Sequence, residues 1–186
     1  STPLYSSAAS DVYKRQFTDR VEHFVPPGKG RRHALRILRD VLVHEPKGTG
    51  TNTPLALDYL RRLLKQHAII FVISDLQDPS IERPLKLLAQ RHDVVVATID
   101  DPSETSLPNI GMARFVDPES GETLDVDTND PAVRASFDRL SGAERDARRS
   151  MLRRLAIDEI PISTSASYIE PLLRFFRNRE RRKSRS

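Results

Sequence analysis

Two short, almost uninterrupted apolar runs constrain this chain more than anything else in it. Ala68-Ile69-Ile70-Phe71-Val72-Ile73 ends on Ser74-Asp75, and Val94-Val95-Val96-Ala97-Thr98-Ile99 lies between Asp93 and Asp100. Runs of this length without polar alternation suit strands covered on both faces, and such strands belong to parallel sheets. Between them Ile81, Pro84, Leu85 and Leu88 recur at helical spacing, with Asp78 or Ser80 placed to cap the helix start. Strand and helix alternating in this way predict a parallel α/β sheet with right-handed crossovers.

The remaining segments extend that reading. Thr53 is placed to cap a helix whose first residue is Pro54, and Ala56, Leu60, Leu63 and Leu64 mark its buried face. Upstream, residues 17–25 read as strand, turn and strand, with Val21, His23 and Val25 on one face. Pro26-Pro27-Gly28-Lys29-Gly30 then breaks the pattern. Leu35, Leu38, Val41 and Leu42 come next at helical spacing. Downstream, Ala113 to Val126 predicts a hairpin that turns at residues 117–121. Asp130-Pro131 opens a long charged helical region with a break near Ser141-Gly142, and a short strand runs from Ile157 to Ile162. Ser167 and Glu170 have capping-box spacing ahead of a last helix bearing Ile169, Leu172, Leu173 and Phe176.

Composition narrows the class. With 186 residues, 38% hydrophobic and 30% charged, the chain can bury one domain core and does not have the make-up of a disordered polymer. No apolar run approaches the roughly 20 residues that cross a bilayer, and the N-terminus lacks the apolar stretch of a secretory signal. The absence of cysteine excludes disulfides, thiol nucleophiles and cysteine-metal sites, in keeping with a cytoplasmic setting. The formal charge of +4 is unevenly placed, because Arg174 to Ser186 holds seven Lys or Arg against one Glu. The body is therefore slightly acidic, and a domain-wide nucleic-acid surface is not indicated.

One pair of residues carries chemistry. Thr51 precedes a helix start and Asp75 ends an apolar strand, so a hydroxyl and a carboxylate can converge on one hard cation. Magnesium takes oxygen ligands and keeps several waters, so such a half-site suits it. Open α/β sheets also place their ligands at the carboxyl ends of their strands. Ser74 reads as a neighbour of the site. Asp101-Pro102-Ser103-Glu104-Thr105 fits a similar ligand pattern but lies after the Asp75 strand, and it reads as a polar strand-to-loop segment. The histidines show no paired ligand spacing, and neither a Gly-x-Ser-x-Gly elbow nor a P-loop is present. Arg31-Arg32, Arg148-Arg149 and Arg153-Arg154 read as solvated helix faces.

Residues Ser1 to Gln16 look foreign to the rest of the chain. They resemble translated adapter sequence of the kind carried into metagenomic assemblies, and are set aside as a non-native leader. The domain is expected over residues 17–176, with a basic tail over 177–186.

A family resemblance becomes specific at Phe17-Thr18-Asp19-Arg20-Val21-Glu22 and Pro26-Pro27-Gly28-Lys29-Gly30-Arg31-Arg32-His33. It continues through Gly50-Thr51-Asn52, Val72-Ile73-Ser74-Asp75, Arg91-His92-Asp93-Val94-Val95, Leu107-Pro108-Asn109-Ile110-Gly111 and Pro171-Leu172-Leu173-Arg174-Phe175-Phe176-Arg177. Together these segments resemble the bacterial family called domain of unknown function 58. The resemblance implies a von Willebrand factor A-like fold: Rossmann-like, doubly wound, a mostly parallel sheet with helices on both faces. Here it would lack the N-terminal central strand and carry a β-hairpin insertion.

The same resemblance implies a metal-ion-dependent adhesion site. Thr51 matches its second element and Asp75 its third, while the first, Asp-x-Ser-x-Ser, is expected upstream of Phe17. The chain then holds a partial site with weak or no affinity for Mg2+ alone, and loss of the central strand leaves two strand edges unpaired. The function implied is a non-enzymatic protein-interaction module, an adaptor for a MoxR-type AAA+ ATPase in protein maturation or complex assembly. The alternative is an electrostatic binder of nucleic acid or acidic membrane through Arg177, Arg179, Arg181, Arg182, Lys183 and Arg185.

Overall fold

The chain divides into two units between Tyr59 and Leu60. The computed structural model describes residues 12–18, 21–43, 52–116 and 121–184. The first unit opens with an antiparallel hairpin, β1 (Val12–Phe17) and β2 (Val21–Gly28), in which Phe17 pairs with Val21, Gln16 with His23 and Lys14 with Val25. Residues 12–16, assigned above to the leader, thus form most of β1. The Pro26-Pro27 pair does not end β2 as expected. It falls where the register slips, since Lys14 faces Val25 but Val12 faces Gly28, leaving an extra residue on β2. Proline is tolerated at such a bulge because no ladder N–H is needed there.

Helix α1 (Gly30–Val43) starts at Gly30, whose φ of 80° suits only glycine without strain. His23 Nε2 approaches Asp40 Oδ2 at 3.5 Å, joining β2 to α1. No described residue of α1 is fully buried, and Leu35, Leu38, Val41 and Leu42 are all exposed. Helix α2 (Thr53–Leu63) carries the chain from the first unit into the second. Its cap lies one residue earlier than the sequence suggests: Asn52 Oδ1 accepts from Leu55 N at 3.0 Å, and Thr53 is itself helical and buried. The buried face is also turned, with Ala56 and Leu57 inside and Leu63 exposed.

The second unit is built on a three-stranded parallel sheet. β3 (Ile69–Ser74) and β4 (Asp93–Asp100) pair from Ile69–Asp93 to Ser74–Thr98. Between them Asp78 caps a 3-10 turn, Pro79–Ile81, by accepting from Ser80 N at 2.9 Å, and α3 (Glu82–Ala89) comes next with Pro84, Leu85 and Leu88 buried. After β4 comes the expected hairpin, β5 (Met112–Val116) with β6 (Thr123–Asp127); its turn, residues 117–120, lies outside the described residues. Helix α4 (Pro131–Arg154), β7 (Asp158–Ser163) and α5 (Ile169–Lys183) complete the unit. The sheet order is β3-β4-β7, and β7 runs parallel to β4.

Burial reflects that order. β4 is central and buried from Val94 to Thr98. On one face Val95, Ala97 and Ile160 form a cluster covered by Leu172 and Phe175 of α5; α3 lies against β4, and α4 against β7. The parallel sheet flanked by helices is the α/β class that the alternating pattern predicts. β3 departs from expectation. Ile70 and Val72 are buried, but Ile69, Phe71 and Ile73 are 57%, 46% and 69% exposed. It is an edge strand, and among the described residues nothing pairs with its outer side.

Two more details differ from the sequence reading. α4 is continuous through Ser141-Gly142, at the modest cost of about 1 kcal/mol that a mid-helix glycine carries. It starts on the Asp130 cap, which accepts from Ala132 N at 2.7 Å, and ends only at Ala156, where φ is 54°. There Ala156 N donates to Arg153 O at 3.1 Å and Ile157 N to Leu152 O at 3.0 Å, the paired bonds of a Schellman stop. α5 continues through Lys183, so residues 177–183 are its last turns rather than a separate tail.

Candidate functional site

The carboxyl ends of β3, β4 and β7 bring together Ser74-Asp75, Asp100-Asp101 and Ser163-Thr164. Thr51, the other sequence-predicted ligand, lies outside the described residues. Asp75 is exposed, and its carboxylate oxygen Oδ1 accepts long bonds of 3.4 Å from Gln77 N and the Ser74 hydroxyl. The main chain turns sharply after it: Leu76 is buried and has φ 57°, a left-handed conformation uncommon for leucine.

Asp101 behaves differently. Oδ1 accepts from Ser103 Oγ at 2.6 Å and Ser103 N at 2.8 Å, while Oδ2 accepts from Thr164 Oγ1 at 2.8 Å. The Ser103 hydroxyl, then the Ser103 amide and the Thr164 hydroxyl, hold this carboxyl below the usual carboxylate range. Its donors come from its own turn and from the neighbouring strand end, so the Asp-x-Ser-x-Thr segment is a turn cap.

Arg148 is the residue that the sequence reading misplaces. Its side chain is 14% exposed rather than solvated. Nη1 donates to the Asp75 carbonyl at 2.8 Å, and Nη2 donates to Asp100 Oδ1. The signal was present: Arg148 sits three, four and seven residues before Met151, Leu152 and Leu155, on their helix face. Arg154 is also engaged, donating to Glu82 Oε1 at 2.9 Å. A cleft of about 670 Å3 opens between α4 and the segment after β3, lined by Leu76, Ile81, Asp100, Glu144, Arg148 and Met151.

As a cation site the described part is incomplete. Asp75 fits as one oxygen ligand, with lone pairs little committed elsewhere. Among the described residues, however, no group of three or more His, Asp or Glu side chains is placed to hold a metal ion. Two arginines of the basic cluster on α5 are ion-paired, Arg179 mostly buried and Arg182 at the surface. Arg179 pairs with Asp93 and lies 5.5 Å from the Phe175 ring centroid, and Arg182 donates to Asp158 at 2.9 Å. Arg177 and Arg181 are exposed, and the Lys183 side chain and Arg185 lie outside the described set.

A parallel α/β sheet with its polar residues gathered at the strand ends defines a Rossmann-like class of protein. The family model described as protein of unknown function DUF58 matches residues 12–147, and the chain belongs to that family. Uncharacterized proteins of Mycobacterium bovis and Mycobacterium tuberculosis are 30% identical over 160 residues, covering 84% of this chain and 50% of each relative. A Mycobacterium avium protein, also uncharacterized, is 29% identical over 160 residues, covering 84% of this chain and 94% of its own length. The chain thus spans about half the length of the Mycobacterium bovis relative. A crystal structure of the conserved hypothetical protein BatB from Bacteroides thetaiotaomicron aligns with TM-score 0.42 and 16% identity over 78% of this chain and 79% of that one. Among the described residues, no helix is long and apolar enough to cross a membrane.

Proposed function

We propose that this chain is part of a non-catalytic protein-interaction module of the von Willebrand factor A type, whose binding end is the carboxyl edge of the parallel sheet. The observation that supports it is the state of Asp75: an exposed carboxylate on a strand end, weakly bonded to its own turn. In this reading Asp75 and Thr51 are two oxygen ligands of a Mg2+ site that the complete protein finishes. A magnesium ion so held supplies an open coordination position for a partner's carboxylate. The partner proposed is a MoxR-type AAA+ ATPase, with the module acting as its adaptor.

The test uses the complete protein. Binding to a co-expressed MoxR-type ATPase should require Mg2+, vanish with chelator, and be lost in Asp75→Ala and Thr51→Ala while the melting temperature stays put. Binding that survives both chelator and Asp75→Ala would sink the proposal. The electrostatic alternative is weakened at Arg179, whose side chain is mostly buried and paired with Asp93, while Arg182 stays at the surface.

A further inference from the structure

We infer that Arg148 is a positioning residue that fixes the main-chain turn leaving Asp75 by clamping the peptide on its carboxyl side. The polar ends of the Asp75–Leu76 peptide are held from different elements. Its carbonyl accepts from Arg148 Nη1 at 2.8 Å, and its N–H donates to Ser74 Oγ at 3.1 Å. A peptide bonded at both ends cannot rotate, and this fixes the turn by which the main chain leaves Asp75. The clamp also explains how Leu76 keeps φ 57° while buried, since such conformations persist only where the surroundings over-determine them.

The second bond gives the clamp its reference point. Arg148 Nη2 holds Asp100 Oδ1 at the end of the adjacent strand, so one guanidinium ties α4 to the ends of both β3 and β4. This is costly chemistry for mere stability. Arg148 Nε is buried with no hydrogen-bond partner among the described residues, and an apolar side chain of similar volume would pack there without that penalty. What a buried, forked cation supplies is geometry. α4 therefore bears directly on the Asp75 main chain, and the cleft beside Arg148 lies at that joint. The relevance of this to binding rests on the proposed role of Asp75; the clamp itself does not.

Amide hydrogen exchange on the whole chain reads the clamp without any ligand. Arg148→Met should raise exchange at Leu76 and Gln77 by about tenfold or more, the loss of a charge-assisted bond, while amides of β4 and the β5–β6 hairpin stay unchanged. Arg148→Lys, which keeps the charge but not the fork, should raise it less. Asp100→Asn, which leaves the Asp75 carbonyl bond available, should raise it least, and these two variants carry the test if Arg148→Met does not fold. Unchanged exchange at Leu76, or a rise spread evenly over the unit, overturns the inference. Adding Mg2+ to the complete protein tests the cation reading separately: no added protection at the residues corresponding to 75–77 would remove that reading and leave the Arg148 result standing.

Discussion

Arg114 and Asp125 face each other across the β5–β6 hairpin and meet as a fork, Nε to Oδ1 at 2.7 Å and Nη2 to Oδ2 at 2.9 Å. The guanidinium holds the Asp125 carboxyl below the usual carboxylate range. A depressed folded-state pKa contributes stability above the unfolded value and loses it as pH falls through the folded one. An NMR titration of the Asp125 carboxyl should give a midpoint below that of an ordinary aspartate, and Arg114→Ala should restore the ordinary value. A normal midpoint in the parent protein would refute the fork. Both side chains are exposed, so thermal stability should barely move.

His92 also loses stability as pH falls, but through burial rather than through an ion pair. It is 5% exposed, and both ring nitrogens are buried without a hydrogen-bond partner among the described residues. Burial first, then the positive charge of His67 and Arg91, pushes its pKa below the ordinary 6.5. Between the folded and unfolded values the unfolded chain binds the extra proton, so stability is full above pH 6.5 and declines as pH falls toward the folded value. Urea denaturation on either side of that pH should show the decline, and His92→Leu should flatten it. Equal slopes in the two proteins would dispose of the argument.

Ala156 occupies the position of a Schellman stop that glycine fills without strain. A Cβ in the left-handed region costs about 1–2 kcal/mol, partly offset by the greater freedom that glycine loses on folding. Ala156→Gly should therefore stabilise the second unit by about 1 kcal/mol, read as a higher urea midpoint at unchanged m-value. A destabilised variant would mean that the stop is held by something other than backbone preference.

Leu85 and Leu35 are both helical leucines with opposite environments, fully buried in α3 and exposed in α1. Leu85→Ala should cost about 2–5 kcal/mol, the range for a core truncation. Leu35→Ala should stay within about 0.5 kcal/mol, as for exposed sites. Comparable losses at the two sites, measured by chemical denaturation, would contradict the assigned burial.

Much of the second unit was legible because its signals are local. The Asp78 cap, the inward set of α3, the β4 run and the hairpin around residues 117–121 each state their structure within a few residues. What the sequence could not show depends on neighbours. The run at Ile69–Ile73 looks doubly covered, yet an apolar strand reads the same whether its second face is packed or open. Gly142 looks like a break, but helix continuity there is decided by the packed turns on either side. Arg148 was hidden because arginine is usually solvated, and only its phase relative to Met151 and Leu152 marks it as internal. Of the two proposed ligands, the structure describes Asp75 alone.

The two edges of the parallel sheet are not equally defended. β7 carries Asp158, Glu159 and Pro161, residues that discourage another strand from joining, whereas β3 offers six residues without charge or proline. Ile73→Lys should accordingly lower the light scattering of concentrated samples, and unchanged scattering would exonerate the edge. For the chain handled alone, β3 is then a place where a second copy can add a strand, a contact that grows with concentration.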